Sequence, residues 1–178
     1  MITGTGRCGT TFLIKLFSFL DFNTGYNRKN YMSSIFTNCN SGMERNYEDN
    51  YYILKNPRFI ENIENIVKDK SVIIKNVIIP IRDLSISAKS RANHKHNAGG
   101  LWNANDEVSQ IRFYKDILTK YLVVSTKYDI NTIYIDFDKM VNDKTYLFNK
   151  LKNILDEKNI NFDNFCKVYD EVSLISKP

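Results

Sequence analysis

Solidly apolar runs bounded by turn residues punctuate the chain: MIT at residues 1–3, YYILK at 51–55, NVIIPIR at 76–82 and NTIYIDF at 131–137, with a weaker run, DFNTGY, at 21–26. Each predicts a strand. The runs at 76–82 and 131–137 lack the alternation of a half-exposed strand, as expected of a parallel sheet covered on both faces. Between them, apolar residues recur at three- and four-residue steps. Thr10 to Leu20 forms one such stretch, and Pro57 opens a second, with apolar residues at 59, 60, 63, 66 and 67. Leu84 to about Lys95 is a third, followed by Asp106 to Tyr128, Lys144 to Asn159, and the closing run FDNFCKVYDEVSLI. These predict helices. Strands alternating with helices predict an α/β fold with a mostly parallel sheet. The Asn-rich stretch from Asn23 to Asn50 is the least regular and reads either as a long connection or as one that contains a further helix.

Composition narrows the class. A chain of 178 residues with 43% hydrophobic residues has enough material for one packed domain, spanning 1–178, and is not a disordered segment. Its net charge of +5 favours an anionic ligand, yet the excess is too modest to require a nucleic-acid groove; a small phosphorylated or sulfated molecule suits it as well. Cys8, Cys39 and Cys166 are odd in number and lack zinc-site spacing. No stretch reads as a signal peptide or membrane anchor. The expectation is a cytoplasmic protein with no metal, no membrane association and no nucleic-acid partner.

The candidate chemistry starts at GTGRCGTT, residues 4–11, placed between the first predicted strand and the first predicted helix. Glycines there let successive N–H groups point at one spot, and the helix dipole adds partial positive charge, so the turn suits an anion. The spacing is that of a Walker A loop, except that Thr10 stands where the lysine belongs. An ATPase needs that lysine. Arg7, two residues before Gly9, and the hydroxyl pair Thr10 and Thr11 give a different pattern: here the chain resembles the sulfotransferase family. Its phosphosulfate loop has a basic residue, one intervening residue, then Gly-Thr-Thr or Gly-Thr-Ser. The resemblance implies 3′-phosphoadenosine 5′-phosphosulfate as donor and adenosine 3′,5′-bisphosphate as product, the 5′-phosphosulfate being held by Gly6, Arg7, Cys8, Gly9, Thr10 and Thr11. It also implies a three-layer α/β/α P-loop fold with a five-stranded parallel sheet in the order 2-3-1-4-5.

A second motif, VIIPIRDLSISAKSR, is similar to the family's 3′-phosphate element: an apolar strand ending in Arg82, then a helix carrying Ser90 eight positions later. An arginine at a strand's carboxyl end and a serine two turns into the next helix can converge on one phosphate. Leu84 replaces the usual proline. The segment KNPRF is similar to the place where the family sets a lysine beside the transferring sulfuryl group, which points to Lys55, with Arg58 within reach of the same crevice. The family's proton acceptor, a His just after that lysine or a Glu just before it, is replaced by Asn56 and Leu54.

His94 and His96 are the substitutes offered by the sequence, in NHKHNAGGLW, where Gly99 and Gly100 suit a lid and Trp102 an acceptor platform. Glu44, Glu48 and Glu61 are alternatives. The expected activity is sulfuryl transfer to a hydroxyl of a carbohydrate or small metabolite, with Arg7, Lys55, His94 and His96 as the catalytic set. A P-loop nucleoside or nucleotide kinase and a nucleotide-binding relative without catalysis remain open.

Overall fold

A computed structural model describes residues 1–36, 41–94 and 99–176. The chain enters helix α1 (Thr10–Phe19) directly from the glycine loop, then passes a short 3₁₀ turn, Tyr31–Ser34, into β1 (Ile35–Phe36) and β2 (Ser41–Gly42). There follow α2 (Phe59–Lys68), β3 (Val77–Ile81), α3 (Leu84–Ala92), α4 (Glu107–Lys127), β4 (Thr132–Asp136), α5 (Phe137–Asn142), α6 (Lys144–Asp156) and α7 (Phe162–Ser176). Among the described residues, no helix is long and apolar enough to cross a membrane.

The helices follow from the apolar spacing. In α2, Phe59, Ile60, Ile63 and Ile66 are buried on one face. α4 begins with a capping box: the Asp106 carboxylate accepts from the Ser109 N–H at 2.7 Å while the Ser109 hydroxyl accepts from the Asp106 N–H at 3.1 Å.

The expected five-stranded parallel sheet, and with it the three-layer P-loop architecture, is not what the chain forms. The described residues make two sheets of two strands, β1 antiparallel to β2 and β3 parallel to β4. Of the run at 1–3 only Ile2 pairs, in single parallel bridges to Lys55 and Ile78, and Lys55 is likewise the only pairing residue of the run at 51–55. The run at 21–26 forms no strand, and Asp21 and Gly25 within it take left-handed backbone at φ 61° and 76°.

Pro80 supplies a physical reason for the short pairing. Around Ile2 the bonds run from the Ile78 N–H to the Met1 carbonyl at 2.8 Å and from the Thr3 N–H to the Ile78 carbonyl at 3.1 Å. The next rung would need an N–H from residue 80, which proline lacks. The backbone is thereby released after Thr3 to curl into the glycine loop.

The core lies on both faces of β3. Ile78 packs with Leu13, Phe17, Leu151, Phe165 and Val172, whereas Val77 and Ile79, pointing the other way, pack with Ile60, Ile63, Ala88, Ile117 and Tyr121. α7 closes over α1, with the Phe12 ring edge-on to Tyr169 at 5.6 Å.

Candidate functional site

The loop from Gly4 to Gly9 is a run of unusual backbone. Gly6, Arg7 and Gly9 all have positive φ, at 75°, 55° and 91°. Left-handed residues of this kind turn successive N–H groups toward a common point. Gly9 is the N-cap of α1, and no side chain caps that helix, which leaves its first-turn N–H groups available to an anion. Two of the glycines are forced by their surroundings as well as by φ. A Cβ on Gly6 would run into the Arg91 guanidinium, and one on Gly9 into Met140 and Phe137.

Arg7 is the hub. Its Nε donates to the Ser90 hydroxyl of α3 at 3.1 Å, its Nη2 lies 3.1 Å from His94 Nε2, and its carbonyl accepts from Arg82 Nη1 at 3.2 Å. Arg82 and Ser90, expected to converge on one phosphate, thus both meet Arg7. Arg82 also lies over the Phe137 ring, 4.5 Å from its centroid. Burial, aided by the Arg7 charge, lowers the pKa of His94, so its ring is neutral near pH 7 and accepts the Arg7 N–H through Nε2. That lone pair is the one a general base would use. His96 lies outside the described residues.

Lys55 stands on the other side of the loop. Its ammonium is almost wholly buried and donates to the Glu44 carboxylate at 2.5 Å, to the Gly42 carbonyl at 2.9 Å and to the Thr11 hydroxyl at 3.4 Å. Burial lowers its pKa and the Glu44 charge opposes that. The Glu44 side chain remains 39% exposed, so one carboxylate is fixed by a buried cation while open to solvent. Cys8 is wholly buried, and burial pushes its thiol pKa up; only its backbone is placed to serve the loop. Thr10 and Thr11 are buried in the first turn of α1.

Compared with known protein families, curated proteins and solved structures, the chain matches none.

The remaining candidates are placed elsewhere or do other work. Trp102 is 6% exposed, packs on Phe113 and exchanges backbone hydrogen bonds with the Gln110 amide, so it belongs to the core and offers no open platform. Arg58 is exposed just before α2. Glu61 accepts from Asn103, and Glu48 pairs with Tyr47 on the surface. Of the three alternative carboxylates only Glu44 joins the loop residues.

Arg91 is the site residue the sequence reading missed. It is 8% exposed, stacks over the Trp102 ring, backs Gly6, and donates to the Gly99 and Gly100 carbonyls, so it pins those two glycines beside the loop. Its position next to Ser90 carried no local signal, because its contacts form only where the loop at 99–102 and Gly6 come together around it. Arg7, Arg82, Lys55 and Arg91 set four cationic side chains around one helix N-terminus. Such a set neutralises a polyanion and stabilises negative charge that develops on it.

Proposed function

We propose that the chain is a sulfotransferase that moves a sulfuryl group from 3′-phosphoadenosine 5′-phosphosulfate to a hydroxyl of a small metabolite or glycan. The supporting observation is the meeting of Arg82, Ser90 and the uncapped α1 N-terminus at Arg7, which puts the cations for two separate phosphates beside one loop. In this reading Arg7 and the first-turn amides hold the 5′-phosphosulfate. Arg82 and the Ser90 hydroxyl exchange their contacts with Arg7 for the donor's 3′-phosphate.

The acceptor oxygen forms a bond to sulfur as the bond from sulfur to the 5′-phosphate oxygen breaks, and the leaving bisphosphate keeps that electron pair. Glu44 takes the acceptor's proton. Its carboxylate is open to solvent and held by Lys55, whereas the Nε2 lone pair of His94 is engaged by Arg7. Lys55, hydrogen-bonded to both Thr11 and Glu44, links the loop to the proton acceptor.

Thermal unfolding in the presence of nucleotides tests the donor. Adenosine 3′,5′-bisphosphate is expected to raise Tm well beyond AMP or ADP, because binding to the native state stabilises it in proportion to affinity. Equal shifts for all three, or a shift with magnesium ATP alone, would sink the reading and favour a kinase.

A further inference from the structure

A guanidinium has a side edge, formed by its parallel Nε–H and Nη2–H bonds, that commonly grips a carboxylate or a phosphate with both donors at once. In Arg7 two uncharged groups take that edge. Nε donates to the Ser90 hydroxyl at 3.1 Å, and Nη2 lies 3.1 Å from His94 Nε2. Because arginine only donates, the Nε2 of His94 must be the acceptor, and the neutral ring carries its hydrogen on Nδ1. The two acceptors are brought together locally. Ser90 sits in the last turn of α3, and beyond the C-cap Asn93 the His94 N–H still donates to the Arg91 carbonyl at 3.0 Å. The helical turn therefore continues far enough to place His94, four residues on, beside Ser90 on the same side.

Uncharged acceptors orient a cation without cancelling it. A carboxylate at the same edge would hold Arg7 as firmly, but its charge would offset the guanidinium and repel an anion arriving at the glycine loop. The two acceptors differ in what else they offer. A hydroxyl donates as well as accepts, so Ser90 has a hydrogen bond to give to a phosphate. The Nε2 lone pair of neutral His94 has none, and Arg7 is the partner that suits it.

We infer that His94 is a positioning residue: through Nε2 it keeps the side edge of Arg7 in place at the glycine loop while Ser90 turns from Arg7 to the donor's 3′-phosphate. This rests on the reading of Arg7 as the cation that holds the 5′-phosphosulfate. A long side chain that loses its acceptors regains rotamer freedom, and its charge is then spread over many positions instead of one. His94 thus acts on the donor only through Arg7, which separates its role from that of a proton acceptor.

A double-mutant cycle on the full chain tests it, read by calorimetric titration of adenosine 3′,5′-bisphosphate at about pH 8, where an imidazole is neutral. His94→Leu should weaken binding about tenfold, as expected for one lost charge-assisted hydrogen bond. His94→Gln, whose amide oxygen accepts the same N–H, should restore it to within about twofold of the intact chain. In an Arg7→Met background His94→Leu should cost nothing further. Imidazole nitrogen NMR gives a second readout: His94 should carry its hydrogen on Nδ1 in the intact chain and shift toward the Nε2–H form in Arg7→Met. Equal losses from His94→Leu in both backgrounds overturn the proposal. So does a His94→Gln chain as weak as His94→Leu, or an Nε2–H ring in the intact chain. Binding of inorganic pyrophosphate without the bisphosphate removes the sulfuryl-transfer reading instead, and the same cycle read with pyrophosphate then decides the role of His94. An intact chain that binds neither overturns both.

Discussion

Glu44 and Lys55 illustrate how one residue's chemistry depends on its partner. A lysine this deeply buried is costly to keep charged, and the carboxylate at 2.5 Å offsets that cost while being held in one orientation by it. If Glu44 accepts the acceptor's proton, Glu44→Gln keeps an oxygen for Lys55 to bond but removes the base. Turnover should fall on the order of 10²-fold or more, with adenosine 3′,5′-bisphosphate still bound as tightly. Steady-state rates alongside bisphosphate titration check this, and a variant with undiminished turnover would return the role to the histidines. The individual loop residues were legible because Gly9, Thr10 and Thr11 keep close spacing to Arg7. The pairing of Lys55 with Glu44 was not, because it depends on how the chain returns between β2 and the segment entering Lys55, a path with no periodicity to read.

Elements divide by whether their cause is local. The helices beginning at Thr10, Phe59, Leu84, Glu107, Lys144 and Phe162 were all foreseeable from apolar spacing and caps, with ends misplaced by a few residues. The capping box of α4 is a local cause of this kind. Asp106→Ala should therefore cost about 1 kcal/mol of stability, seen as a lower midpoint in urea with an unchanged slope. Strands need partners, and partners are non-local. Apolar runs at 1–3 and 51–55 promised full strands but yield single bridges, since Pro80 cannot supply the next rung to the first of them. The β1 and β2 pair was overlooked because two residues a side leave no pattern. The run predicted as strand through Phe137 ends one residue early, where Asp136 caps α5 through the Lys139 N–H at 2.8 Å.

At the scale of the whole molecule, buried ionisable groups set how stability follows pH. Burial lowers the pKa of Lys15 from 10.5 to about 8, and that of Lys55 shifts the same way. Above about pH 8 the unfolded chain holds a proton that folded Lys15 has released, so stability rises with pH there. Cys8, raised above its usual 9.0, and Tyr114 and Tyr121, raised to about 12, act oppositely, because the unfolded chain loses their protons first. Tm should climb from pH 8 toward 9 and decline above about 10. Scanning calorimetry across this range checks it; Lys15→Met should flatten the climb and leave the decline.

The closure of α7 over α1 also sets an order of events during synthesis. α1 carries the glycine loop on its first turn, and its Phe12 ring packs edge-on to Tyr169 of α7, which is made much later. At ordinary translation rates on the order of ten seconds separate the two helices leaving the ribosome. During that interval α1 stands without α7 packed against it. A nascent chain stalled before Phe162 should consequently bind chaperone and lose affinity for adenosine 3′,5′-bisphosphate, because the helix that carries the glycine loop is not packed until α7 has been made.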